Sequence, residues 1–155
     1  MITLRPAALS DCQCLWEWAN DPVVRAASFD SRPIPLPDHQ RWLQRKLADR
    51  SCRLFIVLDD GRPIGQVRLE QSSGTEAEIH VSLDAAARGA GRGTAAVKAA
   101  CDIAAGAGVT RVVAHVKPDN PASLRAFEKA GFIRTGDVAA HGHQAERLMW
   151  RSSDR

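Results

Sequence analysis

Apolar residues recur every second position in some stretches of the chain and every third or fourth in others, which divides it into strands and helices. Residues 2–5 alternate and predict a short first strand. Cys12, Leu15, Trp16 and Ala19 then follow helical spacing, with Trp18 off that stripe. Ser10 and Gln13 read as a capping box opening this helix. Asn20-Asp21-Pro22 ends it, and a loop carrying Pro33, Pro35 and Pro37 leads to a second helix over 37–49. Residues 54–58 and 63–70 predict a hairpin across Asp59-Asp60-Gly61-Arg62, with Asp-Gly as the turn signal.

Residues 76–83 alternate cleanly, with Ile79, Val81 and Leu83 on one side and Glu78, His80 and Ser82 on the other. The apolar side should pack on a helix over 91–105, whose stripe is Val97, Ala100, Cys101 and Ala104. Residues 111–116 read as the next strand, parallel to the 76–83 strand across that helical crossover. Asn120 as N-cap, Pro121 at the first helical position and Gly131 past the end delimit a further helix. Residues 132–138 and 146–151 form a last antiparallel pair around a loop over 136–144. That loop holds His141 and His143, a pair that suggests metal but has no third ligand nearby in sequence. It is expected to face solvent, with no metal bound.

At 155 residues the chain suits one domain over 1–155. Composition is globular, with 45% hydrophobic and 25% charged residues, which excludes a disordered or membrane-embedded chain. No apolar run reaches membrane-spanning length and the start lacks a signal-peptide pattern, so a cytoplasmic setting is expected. Cys12, Cys14, Cys52 and Cys101 form no C-x-x-C pair and read as reduced structural residues. Net charge of +3 suits a polyphosphate ligand and is too weak to point to nucleic acid.

The chemistry centres on Arg88-Gly89-Ala90-Gly91-Arg92-Gly93-Thr94, which follows the 76–83 strand and opens the next helix. Its glycines allow sharp turning and close backbone approach. The free N–H groups and dipole of the helix start then suit a pyrophosphate, with Arg88 and Arg92 adding charge. A P-loop would need Gly-Lys-Ser/Thr, which is missing. Gly91-Arg92-Gly93-Thr94-Ala95-Ala96 matches G-x-G-x-x-A, but Asp84 to Ala90 separate it from the strand, and Arg111 stands where a dinucleotide fold has its acidic residue.

Two motifs in order resemble the GNAT N-acetyltransferase superfamily. Arg88, Gly91 and Gly93 match its R-x-x-G-x-G loop; Asn120, Ser123, Phe127, Gly131 and Phe132 match its N-x-x-S-x-x-x-[FY]-x-x-x-G-F helix. Trp18, Asn20, Asp21, Val24 and Arg25, followed by Ile34, His39 and Trp42, are similar to a narrower branch. That branch contains N-acetyltransferases of nucleotide-linked amino sugars (pseudaminic-acid type) and of ribosomal-protein N-termini.

The resemblance implies an α/β (α+β) fold. A mixed, mostly antiparallel sheet of about seven strands would have its two central parallel strands splayed and four helices flanking it. It implies acetyl-CoA as co-substrate, no metal, a small-molecule amine as acceptor, no nucleic-acid or membrane partner, and a monomer or homodimer. The pantetheine arm would run along Val81, Ser82 and Leu83, where a backbone N–H polarises the thioester carbonyl. Residues Arg88, Gly89, Ala90, Gly91, Arg92, Gly93 and Thr94 would hold the pyrophosphate. Asn120 and Ser123 would reach the arm, with Phe127 near the sulfur. Trp18, Arg25, His39 and Trp42 would shape the acceptor site, with ordinary packing as the alternative for Trp18 and His39.

The attacking amine must lose a proton. Glu78 stands where some members keep a glutamate base, and His115 stands where others carry a glutamate. Members usually have a tyrosine at the Phe127 position as acid, and this chain has none. That departure leaves a non-catalytic acyl-CoA-binding domain as an alternative to transfer.

Overall fold

A computed structural model describes residues 1–152; residues 153–155 of the expected domain lie outside the described residues. The strands are β1 (Ile2–Pro6), β2 (Cys52–Asp59), β3 (Arg62–Gln71), β4 (Glu76–Leu83), β5 (Arg111–Val116), β6 (Ile133–Ala140) and β7 (His143–Arg151). The helices are α1 (Cys12–Ala19), α2 (Pro22–Ala27), α3 (Leu36–Ala48), α4 (Arg92–Gly106) and α5 (Pro121–Lys129). All seven strands join one sheet in the order β1-β2-β3-β4-β5-β7-β6. Among the described strands only β4 and β5 pair in parallel.

The sheet is covered on both faces because its strands alternate. Val57, Val67, Ile79, Leu83, Val112 and Ala114 pack on the α4–α5 side, against Ala96, Val97, Ala100, Cys101 and Ala104 of α4 and Leu124 and Phe127 of α5. Leu54 and Ile56, on the other side, pack with Leu15 and Trp18 of α1 and Leu43 of α3. The β2–β3 hairpin forms as expected. Asp60 and Gly61 both take positive φ (48° and 85°), the type I′ geometry that suits the twist of paired strands.

Four local expectations change. Helix α1 starts without the Ser10–Gln13 box: the Asp11 carboxylate instead accepts the Ala8 N–H at 2.8 Å and pairs with Arg5 at 2.9 Å. Trp18, not Trp16, joins the buried stripe with Leu15. A fifth helix, α2, follows at once, because Asp21 accepts from the N–H of Val23 and Val24 and Pro22 fills the first helical position. The expected loop over 136–144 is mostly strand: β6 runs to Ala140, β7 begins at His143, and His141-Gly142 is a tight turn with φ of 51° and 78°.

The parallel ladder joins Glu76 to Arg111, Ala77 to Val112 and Glu78 to Val113, and ends there. Beyond it β4 continues paired only to β3 and β5 paired only to β7. A gap therefore opens in the middle of the sheet, with Glu78 at its closed end. β3 lies so close to β4 beside this gap that a Cβ at Gly65 would collide with the Ser82 carbonyl.

Candidate active site

The gap exposes backbone on its β4 side. Asp84 donates its N–H to Ile64 O on β3 at 2.7 Å. Alternation along a strand then turns the N–H and C=O groups of Val81 and Leu83 the other way, into the gap. The Leu83 carbonyl is reached on that side by Arg88 Nη2 at 3.0 Å. At the wide end, Gly89 (φ 88°) and Gly91 (φ 75°) turn the chain into α4, with Gly91 as its left-handed N-cap. A Cβ at either glycine would meet nothing within 4 Å, so backbone conformation rather than crowding demands glycine there. The first bond of the helix is Ala95 N–H to Gly91 O at 3.1 Å. The amides that precede it in the first turn point at the mouth of the gap, a ready cradle for phosphate.

The arginines of this loop are engaged elsewhere. Arg88 pairs with Asp21 at 3.1 Å, and Arg92 pairs with Asp59 at 2.9 Å. Through these pairs both arginines brace the loop. Thr94 Oγ1 reaches Ala126 O at 3.4 Å, tying α4 to α5.

At the closed end, on the α1–α3 side of the sheet, four polar side chains meet. Glu78 Oε2 accepts from His115 Nδ1 at 3.0 Å and from His141 Nε2 at 2.9 Å. His80 Nε2 lies 3.5 Å from the same oxygen, buried and without a hydrogen-bond partner among the described residues. Burial works against the charge on Glu78, but the bonds from His141 and His115 outweigh it and hold its carboxyl below the usual range. Burial chiefly, helped by the positive charge of Arg68, pushes His80 down to about 4. Phe29, from the stretch between α2 and α3, lies over the cluster with its ring 5.2 Å from His141 and 5.8 Å from His143.

His141 stays exposed, with 43% of its side-chain surface accessible, and what changes is that a third ligand stands nearby in space. The tight turn carries it back over the sheet onto Glu78, and Glu78 brings His115 as the third group. His80 was not singled out from sequence, and His141 was noted only for its pairing with His143. The alternation that put Glu78 on the polar face put His80 there too, but only the fold brings His141 to that face.

Residues 1–133 match the family model for the acetyltransferase (GNAT) domain. The chain belongs to the GNAT acetyltransferase family. It is an N-acetyltransferase that uses acetyl-CoA. Among curated proteins it is similar to aminoglycoside N(6')-acetyltransferase type 1 of Klebsiella pneumoniae, 27% identical over 88% of this chain and 76% of that protein. A putative phosphinothricin acetyltransferase of Bacillus subtilis is 28% identical over 87% of this chain and 86% of its own. Among solved structures, aminoglycoside acetyltransferase AAC(6')-Ib with ribostamycin and coenzyme A superposes with a TM-score of 0.87 at 26% identity, covering 97% of this chain and 93% of that one. A Vibrio cholerae spermidine N-acetyltransferase with CoA and spermine shares the fold at TM-score 0.88 and 20% identity, covering 98% and 96%.

In the acetyltransferase, Asn120 caps α5 as expected, accepting from Ser123 N at 3.3 Å and donating to Ser123 Oγ at 3.1 Å. Phe127 packs edge-on against Phe132 at 5.1 Å, within the core. Ser82 accepts from Gln66 Nε2 at 3.2 Å on the polar face, and Leu83 is buried.

The four residues expected to shape the acceptor site are held in structural roles. Trp18 is core, and His39 is buried and stacked on Trp42 at 5.4 Å. Trp42 carries the Arg68 guanidinium on its ring at 5.2 Å. Arg25 spends its guanidinium on the carbonyls of Ala19, Asp30 and Arg32 and on Ser28 Oγ, folding the stretch around Phe29. For Trp18 and His39 these contacts fit the packing alternative. No described helix is long and apolar enough to cross a membrane.

Proposed function

We propose that the whole chain is one catalytic domain that acetylates a primary amine on an amino sugar, by direct attack within a ternary complex, in the cytoplasm. The observation that carries catalysis is the Glu78–His115 pair at the closed end of the gap. Glu78 is held ionised, so it serves better to orient His115 than to take a proton itself. With Nδ1–H donated to Glu78, His115 offers Nε2 as the bare acceptor. The amine gives its proton to that nitrogen, directly or through a water, as its own nitrogen bonds to the thioester carbon.

Charge then develops on the carbonyl oxygen, and the Val81 N–H, turned into the gap, stabilises it. The carbon–sulfur bond breaks and the thiolate leaves without a tyrosine to protonate it. A thiolate leaves readily, and solvent supplies its proton. A catalytic pair already formed in this way favours transfer over a non-catalytic acyl-CoA-binding role.

An amino-sugar acceptor is supported by the relatives that act on aminoglycosides. The nucleotide-linked carrier expected from the Trp18-to-Trp42 pattern draws less support, because Arg25 is spent on carbonyls. The test is acetyl-CoA consumption against UDP-4-amino sugars, aminoglycosides, polyamines and short peptides. Turnover is expected with amino sugars. Turnover of peptides with none on any amino sugar would overturn the reading in favour of a protein N-terminal acetyltransferase.

A further inference from the structure

We propose that Glu78, His115 and His141 bind a divalent transition-metal ion, zinc being the best chemical match, and that the bound ion switches acetyl transfer off. One atom from each residue lies within 4.8 Å of the other two. Tetrahedral zinc with bonds of about 2.0–2.1 Å holds its ligands about 3.4 Å apart. The carboxylate oxygen already stands 3.0 Å from His115 Nδ1 and 2.9 Å from His141 Nε2, so a small opening admits the ion.

His80 strengthens the case. Its Nε2 is buried, lacks a hydrogen-bond partner among the described residues and lies 3.5 Å from Glu78 Oε2. Buried polar atoms are nearly always satisfied, and a water on an ion at the cluster would give this one a hydrogen-bond partner. Imidazoles with one carboxylate select zinc, cobalt or nickel over magnesium or calcium. Of the positive charges on this face, Arg68 is answered by Glu70 at 2.7 Å, while Arg147 meets only the neutral Thr135 hydroxyl at 3.3 Å.

The scaffold is prepared for this use. The three ligands come from β4, β5 and the β6–β7 turn, so the site depends on the finished sheet. His141 adopts φ of 51° at a turn position that asparagine or glycine fills more comfortably, and its ring is buttressed by Phe29.

Binding needs no net proton release from neutral imidazoles. His115 moves its proton from Nδ1 to Nε2, and His141 moves its own from Nε2 to Nδ1, which frees one lone pair on each for the metal. His115 Nε2 then carries a hydrogen and can no longer accept the amine's proton. The inhibition, though not the binding, rests on His115 as the base.

The test starts from chelator-stripped enzyme titrated with zinc against a chromophoric indicator. One equivalent should bind with micromolar or tighter affinity, and magnesium should not compete. His141→Asn keeps a residue that tolerates the turn and removes a ligand. It should weaken zinc about tenfold or more, in line with the usual cost of disturbing a metal site, while the melting-temperature shift with acetyl-CoA is retained. Zinc should inhibit the wild type, and His141→Asn should need correspondingly more. Equal zinc affinity in wild type and His141→Asn, or no uptake by the wild type at submillimolar zinc, overturns the metal site whatever the acceptor proves to be. Tight binding without inhibition overturns the switch.

Discussion

His39 is only 4% exposed, and its Nε2 has no hydrogen-bond partner among the described residues. Burial lowers its pKa, so the folded protein holds this ring neutral where the unfolded chain would protonate it. Its contribution to stability is present above the unfolded value of about 6.5 and is lost as pH falls below it. Urea unfolding at pH 7 and pH 5 should show the wild type losing stability on acidification and His39→Leu losing less. Gly91 has a different constraint, since its φ of 75° is costly for a residue with a Cβ. Gly91→Val should abolish the thermal shift with acetyl-CoA. Glu78→Gln should lower kcat about 10²–10⁴-fold with KM for acetyl-CoA little changed, the usual range for a disabled acid–base group. Glu78 and His115 were named from sequence because they stand at positions where relatives carry a glutamate. The meeting of His141 with Glu78 was not legible, because it spans 63 positions and depends on a turn without an Asn-Gly signal.

Helix α4 shows what an element's pattern reveals about packing. Its buried stripe includes Ala96, Ala100 and Ala104, each at 1% exposure or less, so small side chains set how closely it lies on the sheet. Ala100→Leu should cost about 1–3 kcal/mol through overpacking, read as a lower midpoint in denaturant. The bounds of α3, α4 and α5 were legible because each carries end signals: Pro37, the glycines before Arg92, and Asn120-Pro121 with Gly131. Helix α2 carried the same kind of signal in Asp21-Pro22, but it spans only 6 residues, too few to show a period. Strands β6 and β7 were underestimated because their outer ends are short of apolar residues. Val138 is half-buried and β6 is otherwise largely exposed, so hydrophobic alternation fades before hydrogen bonding does.

At the scale of the molecule, both the splayed sheet and its helix layers were implied by the motif resemblance, whereas the insertion of β7 between β5 and β6 was not read from local pattern. The same sheet separates the helices that flank the donor loop from those on the amine side. One carboxylate crosses that division: Asp21 caps α2 through the N–H groups of Val23 and Val24, and it also holds Arg88 of the donor loop at 3.1 Å. Asp21→Ala should remove both attachments. Amine binding measured by calorimetry, with and without coenzyme A, should then respond less to the coenzyme than in the wild type. Coupling of this kind is reciprocal in equilibrium affinity. Whatever factor a docked coenzyme adds to the grip on the amine, the amine adds to the grip on the coenzyme.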